Sequence, residues 1–390
     1  MSLNSFNISI KGSVLDDVRQ RLLESRWPLD VANEDWSYGA NAAYLRELVD
    51  YWLNAYDWRA HERAMNKFAH FRTELDGVPI HFIHEKGKGP KPIPLIMSHG
   101  WPWTFWDLQK VIGPLTDPAA HGGDARDSFD VVVPSLPGFG FSTPLTAPGI
   151  NFWRTGDMWH TLMTKLLGYK KFAAQGGDFG ALVTSHMGHK YADDLYGVHL
   201  HFLVPISGGR GGGAGFPVRD DYAPHEQAWY ERNVNFLAKE TGYSVLQRTK
   251  PQSLSYGMHD SPLALLAWLV EKRRAWSDCD GDVERVFSKD DLITTAMIYW
   301  ATESFGSAAR YYAEAVRYPW QASHDGLPVV RAPTAALVFP KEVLLMPQGW
   351  VARYFNLKRW TVAPRGGHFA PMEQPGMLVE DLRAFFRAYR

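Results

Sequence analysis

The sequence predicts an α/β protein: a mostly parallel central sheet with helices on both faces, interrupted by a helical insertion and preceded by a helical N-terminal extension. Two observations carry this. Short, almost continuously apolar runs alternate with helical patterns, as buried parallel strands require. A block of roughly a hundred residues with helical patterning then separates those runs from two further strands near the C-terminus.

Element by element, Val14 to Trp27 and Ala43 to Tyr56 have helical spacing. Val14, Val18, Leu22 and Leu23 fall on one face, and Pro28 should end the first helix. From Thr73 the pattern alternates through Asp76-Gly77, a hairpin signal. Strands are expected at Ile93–Met97, Asp130–Pro134, Lys171–Gln175 and Gly197–Phe202, with helices over Gly156–Leu167 and Ala181–Tyr191. The glycine-rich SGGRGGGAG after Pro205 lacks the Lys-Ser/Thr of a phosphate loop and reads as a linker or entry loop. Residues 223–318 are mostly helical in pattern. Strands return at Thr334–Phe339 and Lys358–Pro364, before a last helix over Pro375–Tyr389. The expected divisions are 1–75 for the extension, 76–205 and 321–390 for the two parts of the core, and 206–320 for the helical insertion.

Composition narrows the function classes. A net charge of -1 gives no electrostatic footprint for nucleic acid or an anionic membrane. Cys279 is the only cysteine, so no intramolecular disulfide can form, which fits a cytoplasmic location. The start of the chain has no apolar signal-peptide core, and the apolar run Leu263–Val270 is too short to span a bilayer and reads as a buried helix. Aromatics reach 14%, with 16 Trp, consistent with core packing or with an aromatic-lined pocket. A homodimer is left open.

The chemistry-bearing motifs lie at the ends of the strands. Gly176-Gly177-Asp178-Phe179-Gly180 follows a strand and opens a helix. It has the shape of the nucleophile elbow of the α/β-hydrolase fold, with Asp where Ser usually stands. An Asp, with a reference pKa of about 3.9, is ionised at neutral pH and can displace at an electrophilic carbon without activation by a base. The bland alternative is a turn whose Asp caps the next helix. Gly366-Gly367-His368-Phe369 follows the last strand and supplies a general base for hydrolysing the resulting ester. Glu342, after the strand Thr334–Phe339, is placed to orient His368; Asp325 and Glu373 are the competitors. His99-Gly100-Trp101-Pro102 sits where an oxyanion loop belongs, so the backbone N–H groups of Trp101 and Phe179 are the expected donors. Pro137-Gly138-Phe139-Gly140-Phe141-Ser142 should shape the same rim. No motif calls for a metal or a cofactor.

Together these motifs resemble the microsomal-type epoxide hydrolases, nearly end to end. The resemblance takes in RLLESRWP, WSYG, YLRELVDYW, YDWRAHE, HGWP, PGFGFS, QGGDFG, SPLALLAWLVEK, YWATES and RGGHFAPMEQP. It implies an epoxide and water as reactants, a diol as product, and a helical lid inserted after the fifth or sixth core strand. It also implies two lid tyrosines that hold and protonate the epoxide oxygen. By position these are Tyr243, ahead of Lys250-Pro251, and Tyr312 in Arg310-Tyr311-Tyr312-Ala313-Glu314, with Tyr311 adjacent. Trp101, Phe179, Tyr243 and Tyr312 would then line the substrate site. Unlike the vertebrate members, the chain shows no N-terminal membrane anchor, so no membrane location is implied. The competing readings are a haloalkane dehalogenase-like hydrolase and a non-catalytic ligand-binding homologue. The first would want a side-chain donor beside the nucleophile, where Phe179 has none. The second would fit better had Asp178, Glu342 or His368 been lost.

Overall fold

The structure is a computed structural model, and it describes residues 3–207 and 215–390. Among the described residues nine strands form one sheet: β1 (Asn4–Phe6), β2 (His70–Leu75), β3 (Val78–Glu85), β4 (Ile93–Ser98), β5 (Phe129–Pro134), β6 (Phe172–Gly176), β7 (Leu195–Leu200), β8 (Val330–Val338) and β9 (Phe355–Val362). Their spatial order is β1-β2-β3-β5-β4-β6-β7-β8-β9. The pairs from β5 through β9 are parallel, while β1, β2 and β3 add an antiparallel edge. Strands β4 and β5 are apolar and buried along most of their length because helices cover both faces.

The β2–β3 hairpin turns through Asp76 (φ 50°) and Gly77 (φ 76°). Two consecutive left-handed residues match the twist of the flanking strands, which is why Asp-Gly serves there. The first helix runs Gly12–Leu23, shorter than expected, and Pro28 does not end it. Val18 and Leu22 are buried but Leu23 is 60% exposed, so the apolar face is spent before Trp27, which instead lies under the Arg46 guanidinium. The extension continues with helices Ala42–Asn54 and Trp58–Met65. It is tied to the sheet edge by β1, which the sequence pattern did not reveal.

Between β7 and β8 lie the helices Gln227–Lys239, Gly242–Thr249, Pro251–Asp260, Pro262–Trp276, Lys289–Ala301 and Phe305–Arg317, forming the lid. The Leu263–Val270 run belongs to one of these helices and is largely buried. No helix among the described residues is long and apolar enough to cross a membrane. The extension braces the lid: Tyr56 Oη contacts Thr294 Oγ1 at 3.0 Å and Arg21 pairs with Asp260 at 2.7 Å. Most of the glycine-rich segment after Pro205 lies outside the described residues.

Candidate active site

Strand β4 is where the sheet order reverses, since the chain proceeds first to β5 on one side and then to β6 on the other. In open α/β sheets that crevice, beyond the carboxyl ends of the strands, is where ligands bind. Four of the predicted residues converge there: Trp101 follows β4, Asp178 follows β6, Glu342 follows β8 and His368 follows β9.

Asp178 has φ 50° and ψ -125°, a strained conformation for a residue with a side chain, directly before the helix Phe179–Lys190. Its side chain makes no capping bond to that helix, which removes the bland reading of the motif. Close packing explains the surrounding glycines. A Cβ on Gly176 would lie 2.1 Å from Gly180 O, and one on Gly180 would lie 2.0 Å from Ser98 O. A Cβ on Gly100 would meet Asp178 Oδ1 at 2.1 Å. That contact is open so that Trp101 N–H can donate to Asp178 Oδ1 at 2.7 Å.

On its other side, Asp178 Oδ2 faces His368 Nε2 at 3.3 Å. That contact is an ion pair rather than a well-aligned hydrogen bond, since His368 Nε2 meets no bonding geometry. His368 Nδ1 lies 2.6 Å from Glu342 Oε1, and Val343 N–H donates to the same oxygen at 2.6 Å. All three side chains are buried: Asp178 is 8% exposed, Glu342 2% and His368 0%. Burial alone would lower the imidazole's pKa. The charge of Glu342, with contacts from Asp178 and Glu342, outweighs it and raises His368 to about 10. The two flanking carboxylates therefore favour the imidazolium form of His368.

Lid residues close the site from above. Tyr243 stacks on Trp101 (5.1 Å, 7°), and Tyr312 meets Trp101 and Phe179 edge-on (5.9 and 4.5 Å). The two tyrosine rings are 6.0 Å apart at 88°. Burial raises both phenols above their ordinary pKa, and the Asp178 charge adds to this. Tyr311 points elsewhere: its hydroxyl bonds Thr155 Oγ1 at 2.5 Å, behind the site, so Tyr312 is the one of the adjacent pair that faces inward. Among the described residues, no group of three or more His, Cys, Asp or Glu side chains is placed to hold a metal ion.

The competitors for the orienting acid occupy other places. Asp325 lies in the exposed segment before β8. Glu373 is beside the His368 loop but faces its backbone, accepting from Asp278 N (2.8 Å), Gly367 N (2.9 Å) and Phe369 N (2.7 Å). Burial lifts its pKa to about 7 against the pull of those three donors.

A family described as "Epoxide hydrolase N terminus" matches residues 3–108, and one described as "alpha/beta hydrolase fold" matches residues 93–201. Epoxide hydrolase 1 of Oryctolagus cuniculus is 35% identical over 410 residues, covering 98% of this chain and 88% of its own. The chain belongs to the epoxide hydrolase family. Solved structures of epoxide hydrolases match it throughout. The epoxide hydrolase of Aspergillus niger is 27% identical at a TM-score of 0.85, covering 100% of this chain and 97% of its own. The juvenile hormone epoxide hydrolase of the silkworm Bombyx mori is also 27% identical at 0.85, covering 100% of this chain and 95% of its own. This protein is accordingly an α/β-hydrolase-fold enzyme that hydrolyses epoxides.

Several residues of this epoxide hydrolase's site were not singled out from the sequence. Trp276 turns its ring edge-on to His368 at 5.2 Å and its carbonyl accepts His368 N–H at 3.0 Å. Trp103 and Phe202 also enclose the imidazole, at 5.5 and 5.6 Å. Tyr299 donates its hydroxyl to Trp103 O at 2.9 Å. Arg273 sits buried behind the loop that carries Trp101. One signal was available: Arg273 falls on the same helical stripe as Leu266, Leu269 and Trp276, an apolar face on which a cation is out of place.

Proposed function

We propose that this epoxide hydrolase works through a covalent ester on Asp178. The observation that supports it most directly is the placement of one buried carboxylate between a backbone donor, Trp101 N–H at 2.7 Å, and a carboxylate-paired imidazole, His368 at 3.3 Å. Asp178 Oδ2 attacks an epoxide carbon and the C–O bond of the ring breaks. The ring oxygen takes a proton from Tyr243 or Tyr312, phenols that burial keeps protonated and so able to donate to the oxygen as the ring opens.

Esterification removes the Asp178 charge and with it part of what holds the proton on His368. The imidazolium returns its proton to the phenolate and becomes a base only once there is an ester to hydrolyse. It then takes a proton from water, whose oxygen adds to Asp178 Cγ. The negative charge that builds on Oδ1 is met by Trp101 N–H and, from the helix start, Phe179 N–H. Collapse breaks the ester bond to the diol oxygen, which takes the proton of the added hydroxyl, and Asp178 is again a carboxylate. Glu342 holds the tautomer and stabilises the imidazolium throughout.

The aromatic walls, Trp101, Phe179, Tyr243, Tyr312 and Trp276, offer apolar faces and few charges, which suits a small apolar epoxide. Single-turnover hydrolysis in oxygen-18 water tests the mechanism. The first diol formed should carry unlabelled oxygen, and label should appear in Asp178. Label in that first diol would show direct attack by water and overturn the ester.

A further inference from the structure

The lid helix Pro262–Trp276 ends against both halves of the catalytic machinery. In its last turn Arg273, 2% exposed, pairs with buried Asp107 (Nη1 to Oδ1, 2.5 Å). Its Nη2 donates to Pro102 O at 3.1 Å, on the loop whose Trp101 N–H holds the nucleophile. Asp107 in turn accepts Thr104 N–H at 2.8 Å, closing that loop from its far end. The guanidinium carbon lies over the ring of Phe369, the residue after His368, 4.3 Å from its centre.

The helix end also grips the base loop. His368 N–H bonds Trp276 O at 3.0 Å and Gly366 N–H bonds Asp278 Oδ2 at 2.8 Å. A buried ion pair is weak evidence of stabilisation, because desolvating two charges costs about what their attraction returns. Arg does offer a rigid planar fork that can donate in two directions while stacking, which Lys cannot. That geometry is used here to bridge the oxyanion loop to the residue beside the base.

We infer that Arg273 is a positioning residue that fixes the Trp101 N–H relative to the His368 imidazole, so that the lid is part of the ester-hydrolysing apparatus as well as its cover. The inference rests on the ester mechanism proposed above. The oxyanion donor works chiefly in the second step, when charge develops on Asp178 Oδ1. Loosening it should therefore slow ester hydrolysis more than ester formation.

The test compares Arg273→Lys, which retains a cation for Asp107 but not the fork or the stack, with the neutral pair Arg273→Met/Asp107→Asn, which leaves no unpaired buried charge. Rates of ester formation and ester hydrolysis are measured per active site by rapid quench and intact mass. Losing one oxyanion donor outright costs about 10²–10³-fold, so a displaced donor should slow hydrolysis about tenfold or more, with formation changed severalfold less. A purely structural role would reduce the folded fraction while leaving both rate constants per active site as in the unaltered protein, and that result overturns the inference. Failure of both variants to fold also counts against it, by making the pair a stability element. If the parent and His368→Gln form no ester, the mechanism fails. If they do and the partition in Arg273→Lys is unchanged, only this inference fails.

Discussion

Replacing Glu342 by Gln separates the two chemical steps with little change of shape. Glu342 Oε1 accepts from both His368 Nδ1 and Val343 N. A glutamine carbonyl oxygen can accept the same two bonds, so the substitution removes a charge and little else. Loss of an opposite charge at this range lowers a partner's pKa by about 1–3 units, each worth about 1.4 kcal/mol. A weaker base transmits at most about tenfold in rate per unit, so ester hydrolysis should slow by up to about 10–10³-fold. Ring opening does not use His368 as a base and should change little. The ester on Asp178 should then accumulate in the steady state, read by rapid quench and intact mass against a parent that holds little of it. Equal slowing of both steps, or unaltered hydrolysis in a folded variant, would refute the assignment of Glu342 to the base.

The remaining predictions concern the neighbours of that pair. Tyr243→Phe and Tyr312→Phe should each lose ring-opening rate at or below the low end of the about 10²–10⁴-fold typical of a general acid, and the double variant should lose most activity non-additively; full activity in the double variant sinks the lid assignment. Gly100→Ala drives a Cβ to 2.1 Å from Asp178 Oδ1. It should cost about 1–3 kcal/mol of stability and displace the nucleophile, so diol formation should collapse while thermal melting shifts only modestly. His368, raised to about 10 when folded from an ordinary 6.5, binds its proton more tightly in the native state. Its stabilising contribution is therefore complete below about pH 6.5 and lost as pH rises through about 10. Melting curves across that window should show the loss in the parent and a smaller one in Asp178→Asn; identical slopes would contradict the imidazolium.

The candidate site residues were legible because the geometry that brings them together leaves marks in the sequence. The elbow needs Gly176 and Gly180, whose missing side chains let strand and helix meet, and those glycines frame Asp178. Likewise, strand ends at the crevice fix where Glu342 and His368 can be. The Tyr311–Tyr312 ambiguity could not be settled by spacing, because adjacent helical residues diverge by about 100° and only the packing of Thr155 and Phe179 decides which faces inward. Helix length also misled at the first helix, where Leu23 and Trp27 extend an apolar pattern beyond the face that is buried. The Arg273–Asp107 pair joins residues 166 apart, a separation at which local pattern carries no information about partners. The short edge strand β1 was invisible for a related reason: three residues are too few to show a period.

Alkylation of Asp178 is the step on which the mechanism turns, and one measurement reaches it directly. His368→Gln should still form the ester but be unable to hydrolyse it. Incubated with an excess of a small aryl epoxide, it should gain the mass of one epoxide per chain. Peptide sequencing should place that mass on Asp178, and adding Asp178→Asn should abolish it. An unmodified His368→Gln chain, in a sample shown to bind the epoxide, would contradict the account.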